Sequence, residues 1–409
     1  MDISPGYLDA RVYILFRGCL GVSYRGFEHL LGSINPYAAF HGTEQEDVSN
    51  TYLIRSGMNR LRTVSVIIPT YNRAHYLGEA IESILNQDIR DCRIEIIVVD
   101  DGSTDNTQEV LRKYGNSVRY IFQDHRGAGP ARNRGIDEAT GEWVAFLDSD
   151  DRWLPEKLTL QFKVLDAFPD YDAIHSEFLI FDETGILTDK GLQLWVNDPS
   201  VWEKIVWDKI YSKRYESADY HIHAVSGSFP IYTGNIFATQ LKVCCISNWT
   251  LLCRRDCLQK DMRFAEGYKI NEDYWFLCKL TERCDVIFMD TATAENRAHN
   301  ERRLTQAGYI EIFKTHIDIC NKIYRPSKSV HRSSDKEIDK CFKLLNISLF
   351  KEYLKRGLRS EARKTADVIR MIDGPVGDRT YFLYWLTLLF PFNMVKNLIA
   401  LKRFLKNRL

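Results

Sequence analysis

The sequence predicts an α/β fold in which a mostly parallel sheet is flanked by helices and followed by a helical C-terminal tail. Three segments carry this prediction: residues 64–73 (VSVIIPTYNR), 96–105 (IIVVDDGSTD) and 143–151 (WVAFLDSDD). Each is an apolar run, typical of a strand covered on both faces, that ends abruptly in polar or acidic residues. Ligands of open α/β sheets bind just beyond the carboxyl ends of the strands, so these ends predict a site for a polar ligand.

The elements of the first half follow in a regular order. Four strands are predicted by continuous apolar runs, at residues 64–68, 94–99, 118–122 and 143–147. Helices between them are predicted by apolar spacing in residues 75–87, by capping residues at 103–105, and by Gly129-Pro130 at a helix start. Strands that alternate with helices in this order favour right-handed crossovers and parallel pairing.

The second half is less regular. The pattern predicts helices at residues 155–165 and 271–280, strands at residues 172–181 and 286–289, and helical structure with many basic residues from about residue 305. Residues 182–240 are rich in aromatic and turn-forming residues. A loop of this length is typical of a lid or a binding loop.

We divide the chain into three regions. Residues 1–62 carry no motif and are interpreted as a variable N-terminal extension. Alternatively, translation begins at Met58 and the preceding segment is not native. Residues 63–304 form the main domain, and residues 305–409 form a helical C-terminal region.

Composition and charge exclude several classes of protein. Lys plus Arg and Asp plus Glu both number 55 in 409 residues, which argues against a general polyanion binder, so no nucleic-acid partner is expected. The ten cysteines include no C-x-x-C pair and are interpreted as reduced thiols of a cytoplasmic protein. No secretory signal and no uncharged apolar run of about 18 residues is visible, so no membrane-spanning helix is predicted.

The acid pair Asp148-Ser149-Asp150 follows the fourth predicted strand. Mg²⁺ and Mn²⁺ take oxygen ligands, commonly one or two carboxylates together with substrate phosphates. A solvated acidic turn is the commoner origin of an isolated acid pair. Here the buried strand before the pair, and the two other polar strand ends, favour a site for a metal and its ligand.

Two further segments predict contacts to a nucleotide. Asp100 and Asp101 follow the second strand, where a carboxylate can accept a hydrogen bond from a base while the ring of Tyr71 stacks on that base. Residues 126–134 (RGAGPARNR) combine glycines, three arginines and a helix start, and both arginines and helix N-termini favour phosphate. A loop followed by a cationic helix face is the alternative for this segment.

Glu272 and Asp273 begin a short apolar helix far along the chain. Acids at a helix start are often favourable only because of the helix macrodipole. Together with the upstream segments, however, they make Asp273 a candidate general base for an attacking hydroxyl. Arg297 and His299 follow a strand and are candidates for contact with phosphate or metal.

The segments VSVIIPTYNR, IIVVDDGSTD, AGPARNRGI and WVAFLDSDD together closely resemble, in order and spacing, the nucleotide-binding half of family 2 glycosyltransferases with the GT-A fold. The resemblance is strong over residues 64–161 and extends in less detail to about residue 303. It implies that residues 63–161 bind a nucleotide-diphospho-sugar donor and that residues 162–304 form the acceptor side. On this basis we place the donor contacts at Pro69, Tyr71, Asn72, Asp100, Asp101, Arg132 and Asp148.

The resemblance also implies a mechanism. Asp150 corresponds to a ligand of Mg²⁺ or Mn²⁺, with His299 as a further candidate, and Glu272-Asp273 corresponds to a catalytic Glu-Asp motif with Asp273 as the base. The sugar then moves by direct displacement, with inversion, to a hydroxyl of a glycan or lipid-linked acceptor in cell-surface polysaccharide or lipopolysaccharide biosynthesis. The Q-x-x-R-W signature of processive synthases is absent from the sequence, so one sugar is expected per encounter.

The chain departs from the family pattern in two places. Residues 182–240 lengthen the gap before Glu272, and residues 263–267 (RFAEG) stand where a glycine-rich turn is usual, so acceptor specificity is not carried over. Two alternatives are a non-catalytic homologue that binds sugar nucleotides and a sugar nucleotidyltransferase. The latter class usually has a glycine-rich phosphate loop where this chain has residues 69–73 (PTYNR).

An aromatic and leucine-rich segment at residues 381–392 precedes several cations near the end of the chain. Such a segment can lie in a membrane interface with its cations near anionic headgroups, which predicts peripheral contact with the inner face of the plasma membrane. A pair of helices packed against the catalytic domain or a second subunit is the alternative.

Overall fold

The computed structural model describes residues 61–197, 206–258, 260–298, 308–327 and 335–373. Across these residues, eleven strands form one sheet. In chain order they are β1 (Arg62–Thr70), β2 (Cys92–Asp100), β3 (Val118–Phe122), β4 (Trp143–Phe146), β5 (Arg152–Trp153), β6 (Ala173–Asp182), β7 (Gly185–Thr188), β8 (Lys213–Glu216), β9 (Pro230–Gly234), β10 (Leu252–Arg254) and β11 (Val286–Arg297).

The α-helices of the described residues lie on the faces of this sheet or follow it. In chain order they are α1 (Ala74–Leu85), α2 (Thr107–Arg112), α3 (Ala128–Glu138), α4 (Lys157–Ala167), α5 (Gly191–Val196), α6 (Trp207–Ile210), α7 (Phe237–Gln240), α8 (Glu272–Arg283), α9 (Tyr309–Ile319), α10 (Asp335–Lys355) and α11 (Arg359–Asp373).

The order of strands across the sheet is β3-β2-β1-β4-β10-β6-β11-β9-β8, with β5 beside β11 and β7 beside β6. Strands β3, β2, β1 and β4 are parallel throughout, which confirms the predicted parallel sheet of the first half. The second half is mixed, because β10 runs antiparallel to both β4 and β6. As a result, β10 begins at the edge of the sheet where β4 ends.

Apolar patterning explains the first half of the fold. The side chains of Val64, Val66, Ile67 and Ile68 in β1 are fully buried, as expected for a strand covered on both faces. The carboxylate of Asp105 accepts backbone N–H groups at the start of both α1 and α2, so one acid caps two helices. The predicted capping of the second helix is thereby confirmed for Asp105.

Two predicted elements differ from the structure in extent. The strand expected at residues 286–289 continues to residue 297 as β11, because β5 and β6 pair with its second half. The stretch from residue 182 to residue 240, which we interpreted as a long loop, contains three short strands, three short α-helices and one 3-10 helix among its described residues. Strands β8 and β9 extend the sheet beyond β11 and β7 pairs with β6, so this part of the chain is built into the fold.

The C-terminal helices pack against the sheet domain through a second apolar cluster. Tyr274 and Cys278 of α8 join Tyr324, Cys320 and Cys341 in this cluster. The hydroxyl of Tyr324 donates to the carbonyl of residue 237 at 3.1 Å and lies 3.3 Å from the sulfur of Cys278. Helix α8, which carries the candidate base, therefore packs against the C-terminal helices.

No helix among the described residues combines the length and apolar character needed to cross a membrane. The apolar segment at residues 381–392, the cations after it and the extension at residues 1–60 lie outside the described residues. The division of the chain into three regions stays a prediction.

Candidate functional site

Tyr71 and Asp101 follow two neighbouring strands directly. Thr70 pairs with Asp100 at the ends of β1 and β2, and the N–H of Asp101 donates to the carbonyl of Thr70 at 2.9 Å. The ring of Tyr71 is 43% exposed and stacks on the ring of His125, with 4.1 Å between the ring centroids. An exposed aromatic face therefore lies beside a buried carboxylate, as the sequence predicts for a base-binding site.

Pro69 and Asn72 shape the end of β1. Pro69 is buried within the strand opposite Val99. Asn72 has a left-handed backbone (φ 52°), a conformation that asparagine tolerates better than most residues. Its side-chain oxygen accepts the N–H of Thr104 at 2.8 Å, and its own N–H donates to the hydroxyl of Ser103 at 2.9 Å. Asn72 thus ties the two strand ends together.

The two acids after β2 are largely occupied by protein donors. Asp100 accepts the N–H of Ser103 and the hydroxyl of Tyr120. The two carboxylate oxygens of Asp101 accept three groups of the following loop: the amide of Gln123 and the N–H groups of residues 126 and 127. The Nδ1 of His125 lies 2.8 Å from the same carboxylate and 3.1 Å from the backbone carbonyl of Asp101. Asp101 therefore organises this loop, and it could accept a base only after one of these donors, such as exposed His125, is displaced.

The acids after β4 have distinct surroundings. Asp148 accepts a hydrogen bond from Arg132 at 2.6 Å. Asp150 lies 3.8 Å from the guanidinium of Arg73, and its backbone carbonyl accepts the Nε of Arg297 at 3.1 Å. Asp148 and Asp150 keep 26% and 23% of their side-chain surface exposed, so both carboxylates remain reachable from solvent.

Asp151 is a supporting residue that the sequence does not single out. It is buried and accepts the amide of Asn296 at 3.0 Å and the N–H of Arg297 at 2.9 Å. These bonds fix the loop after β4 to the end of β11. The guanidinium of Arg297 also lies against the rings of Tyr76 and Phe181. A phosphate at this position would have to compete with these contacts. His299 lies outside the described residues.

Arg132 joins the two halves of the site. Its guanidinium is buried and donates to Asp148 at 2.6 Å and to Glu272 at 2.9 Å. Burial alone lowers the pKa of Arg132, but the charges of Asp148 and Glu272 outweigh it and hold the pKa above its ordinary value. The permanently charged arginine therefore links the acid pair after β4 to the acid pair that begins α8.

Asp273 lies in the first turn of α8 beside this link. Its carboxylate accepts the N–H of Tyr274 at 2.7 Å. Burial, and next the neighbouring charge of Glu272, raise the pKa of Asp273 to about 7, while Arg132 opposes the rise. A carboxyl group with a pKa near neutrality is suited to accept a proton in a catalytic step.

These features agree with comparisons to known proteins. Residues 65–259 match the family model described as Glycosyl transferase family 2. Residues 65–259 are thereby identified as a glycosyltransferase family 2 domain. An uncharacterized glycosyltransferase of Rickettsia typhi is 30% identical over 244 residues, covering 60% of this chain and 66% of that protein. TuaG of Bacillus subtilis, named for teichuronic acid biosynthesis, is 39% identical over 106 residues, covering 25% of this chain and 41% of that protein.

The fold is of the GT-A type. The crystal structure of S. aureus TarS is similar with a TM-score of 0.50 and 19% identity, covering 78% of this chain and 50% of that chain. The chain spans only part of its curated relatives, since it covers 66%, 39% and 40% of three rickettsial glycosyltransferases.

Within this family 2 domain, helix α3, which carries Arg132, approaches Ala265 and Glu272 closely at Gly129. Gly129 packs so tightly that an added Cβ would lie 2.9 Å from the carbonyl of Ala265 and 3.2 Å from the Cγ of Glu272. The other two arginines of residues 126–134 point elsewhere, since Arg126 pairs with exposed Glu266 and Arg134 pairs along the helix. Of the three predicted phosphate contacts, Arg132 alone is buried at the centre of the site.

One segment at the same edge of the family 2 domain carries no motif. Residues 247–250 precede β10, which begins beside the end of β4. Ser247 and Asn248 are buried there although both are polar. The sequence does not mark them as binding residues, and the reversed direction of β10 brings them to the edge of the sheet where β4 ends.

Proposed function

We propose that this family 2 protein is an inverting, metal-dependent glycosyltransferase that moves a sugar from a nucleotide-diphospho-sugar to a hydroxyl of a glycan or lipid-linked acceptor. The observation that carries the proposal is the pair of hydrogen bonds from Arg132 to Asp148 and Glu272. Through them a donor-side acid pair and a candidate base, far apart in sequence, share one site.

The nucleotide is expected at the ends of β1 and β2. Tyr71 offers an exposed ring for stacking, and Asp101 lies directly beside it. Asp148 is the residue we assign to the ribose side. These roles for Pro69, Tyr71, Asn72, Asp100, Asp101 and Asp148 are proposals that rest on their placement at one edge of the sheet.

The residues after β4 fit a hard divalent cation. Asp148 and Asp150 offer partly exposed carboxylate oxygens, the ligand type that Mg²⁺ and Mn²⁺ prefer. We assign the metal to Asp150, and the diphosphate of the donor would supply further oxygen ligands. When bound, the cation would neutralise negative charge on the leaving diphosphate.

Asp273 is proposed as the general base and Glu272 as the residue that orients Arg132 beside it. In the transfer, the oxygen of the acceptor hydroxyl bonds to the anomeric carbon while its proton passes to the carboxylate of Asp273. The bond between the anomeric carbon and the diphosphate oxygen breaks, and its electron pair leaves with the nucleoside diphosphate. A single displacement of this kind inverts the anomeric configuration.

The acceptor is proposed to belong to a cell-surface glycan. The name of the similar protein TuaG refers to teichuronic acid biosynthesis, which supports this class of product. We also propose peripheral contact with the inner face of the plasma membrane through residues 381–392 and the cations after them. Replacing Lys402, Arg403 and Lys406 with Gln should then weaken sedimentation of the full chain with anionic vesicles, and unchanged sedimentation would reject the contact.

Thermal-shift assays test the proposed reaction. The protein, with Mn²⁺ or Mg²⁺, is titrated with uridine, deoxythymidine, guanosine and cytidine diphosphates and with their sugars. One nucleotide should stabilise the protein by mass action in a metal-dependent way. Asp150→Ala should abolish the metal-dependent part, whereas Asp170→Ala, at an exposed turn before β6, should not.

Two results of this experiment would count against the proposal. Absence of a shift with every nucleotide, in folded protein, would reject it. Metal-dependent binding without any release of nucleoside diphosphate, in the presence of candidate acceptors, would instead favour a non-catalytic sugar-nucleotide-binding protein.

A further inference from the structure

We propose that Asn248, together with Ser247, binds hydroxyl groups of the sugar that the nucleotide donor carries. This inference rests on the proposed function, because it assigns a further part of the same site. The two residues belong to no catalytic motif. We assign them from their position and from their missing hydrogen-bond partners.

The position of this segment is set by β10. Leu252 of β10 pairs with Ala145 of β4 in antiparallel orientation, so the residues before Leu252 lie beside the residues after Ala145. The carbonyl of Trp249 accepts the indole N–H of Trp153 at 3.0 Å, which fixes the segment next to the loop of the metal-binding acids. One end of the segment therefore lies beside residues 148–153.

The other end of the segment lies toward the candidate base. The side-chain oxygen of Gln240 accepts the N–H of Cys245 at 2.6 Å. The backbone carbonyl of the same Gln240 accepts the hydroxyl of Tyr274, the residue that follows Asp273. Burial, and next the charge of Asp273, raise the pKa of the Cys244 thiol, so this residue lies close to the candidate base. Residues 244–249 thus extend from the neighbourhood of the base to that of the acids that we assign to the metal.

The donor sugar must occupy this interval. In a direct displacement, the anomeric carbon lies between the attacking hydroxyl, which is next to the base, and the diphosphate, which is next to the metal. With these two ends assigned to Asp273 and Asp150, a segment that runs between them borders the sugar ring. The rings of Trp249 and Trp195, 5.5 Å apart between centroids, pack this segment against the apolar core.

The hydrogen bonding of the segment is incomplete where a ligand is expected. Asn248 is 1% exposed, yet neither its side-chain nitrogen nor its oxygen has a partner, and the hydroxyl of Ser247 also has none. By contrast, the hydroxyl of Thr250 donates to the carbonyl of Ser247 at 2.9 Å. Buried polar groups are nearly always paired, so three unpaired atoms on adjacent residues call for a partner that the protein itself does not supply.

The chemistry of these atoms matches a sugar. An amide offers two donors and one acceptor, and a serine hydroxyl offers both functions, so together they can pair with hydroxyl groups that also donate and accept. Because the side chains are closed off from solvent in this structure, donor binding includes a local opening of neighbouring side chains.

Binding measurements on the full chain test the inference. The nucleoside diphosphate found by thermal shift and its sugar nucleotides, such as UDP-glucose and UDP-N-acetylglucosamine if uridine is selected, are titrated into wild-type and Asn248→Ala protein by calorimetry. We expect the Kd of the sugar nucleotide to rise about tenfold, the scale of one or two hydrogen bonds, while the Kd of the nucleoside diphosphate stays within about twofold. Ser247→Ala should show the same pattern with a smaller change.

Stability separates this role from a structural one. Asn133 is an equally buried asparagine whose amide and oxygen pair with the backbone of Phe264, at 3.0 and 2.8 Å. Asn133→Ala should lower Tm by several degrees. Asn248→Ala should leave Tm of the ligand-free protein unchanged or raise it, because it removes buried atoms that lack partners.

The outcomes are distinct. If wild-type protein binds the nucleotide but Asn248→Ala changes neither Kd, or changes both equally, this inference is overturned and the proposed function stands. A loss of Tm in Asn248→Ala as large as that in Asn133→Ala would also overturn it, by revealing a structural role. If wild-type protein binds no nucleotide at all, the proposed function fails first.

Discussion

Asp148 and Glu272 share one buried guanidinium, that of Arg132, which donates to both carboxylates. Asp148 follows β4 and Glu272 begins α8, so the link joins the parallel half of the sheet to the later, mixed half. Two carboxylates this close would repel each other without the cation between them. The arginine therefore has a structural task in the free protein in addition to the donor contact that we propose for it.

Replacing Arg132 with Met should therefore destabilise the fold strongly. The change leaves Asp148 and buried Glu272 without their counter-charge, a loss that typically costs about 3–5 kcal/mol of unfolding free energy. Urea unfolding followed by fluorescence measures it. Arg134→Met is the matched control, since Arg134 is exposed and forms only a pair along the helix with Glu138, worth about 0.3–0.5 kcal/mol. An equal loss of unfolding free energy in the two variants would show that the buried contacts of Arg132 contribute no more to stability than an exposed ion pair.

The close approach at Gly129 predicts a second, more local effect. In Gly129→Ala, the new methyl group would meet the carbonyl of Ala265 at 2.9 Å and the side chain of Glu272. Because a backbone carbonyl cannot move aside alone, α3 must shift relative to α8, at a cost of about 1–3 kcal/mol. Nucleotide binding should weaken as well, since the same shift displaces Arg132.

Gly78→Ala is the control for this prediction. Gly78 also lies in a helix, but its added methyl group would meet only the hydroxyl end of the Tyr114 side chain, at 3.3 Å. That side chain can move, and alanine favours helix over glycine, so stability should be unchanged or higher. If both variants were equally stable in urea, the packing of Gly129 against α8 would not constrain the site.

The parallel half of the fold could be predicted because its signals are local. A strand buried on both faces is a continuous apolar run, and the polar residues after Pro69 or Leu147 show where such a run ends. The order of strands then follows from parallel pairing and short crossovers. The same reasoning correctly brings Tyr71, Asp101 and Asp148 to one edge of the sheet, as the structure shows.

The rest depends on contacts that are distant in sequence. The direction of β10 is set by pairing with β4 and β6, so nothing within residues 247–254 shows that Asn248 lies at the edge of the sheet where β4 ends. The anchoring of Asp151 by Asn296 is equally long-range. Nor does the acidic sequence after β2 show that Asp101 accepts hydrogen bonds from the loop that follows. The residue type is the same whether an aspartate binds a ligand or stabilises a loop.

The role of Asp273 predicts a pH dependence of transfer. Burial and the charge of Glu272 raise its pKa to about 7. A general base acts in its deprotonated form, so the rate should rise as pH increases through about 7 and then level off. Release of nucleoside diphosphate from the selected sugar nucleotide, measured between pH 5.5 and 8.5, gives this profile.

Asp273→Asn should remove this rising limb. The rate should fall by about two to four powers of ten, the usual scale for loss of a general base, while the Kd of the nucleotide changes little. Asp170→Asn, at the exposed turn before β6, should keep the parent rate and profile. A parent rate in Asp273→Asn would show that another group accepts the proton.

His175 predicts how stability changes in acid. This residue of β6 is buried, with its Nε2 2.8 Å from the hydroxyl of Tyr211 and its Nδ1 without a partner. Burial, and next the charge of Lys157, lower the pKa of His175 to about 3. The unfolded chain, with a pKa near 6.5, then binds this proton at a higher pH than the folded chain does. The stability that neutral His175 allows is therefore present above about pH 6.5 and is lost progressively as pH falls toward 3.

His175→Gln removes this proton, so the unfolding free energy of the variant should fall less steeply in acid. Between about pH 6 and pH 4, the slope of the wild-type protein should exceed that of the variant by up to about 1.4 kcal/mol per pH unit, the value for one proton. His223→Gln, a change of the same kind at an exposed position, is the matched control. Urea titrations at several pH values measure all three slopes. Parallel curves for wild type and His175→Gln would mean that His175 becomes protonated in the folded protein, and hence that water reaches it through a motion of β6 or α6.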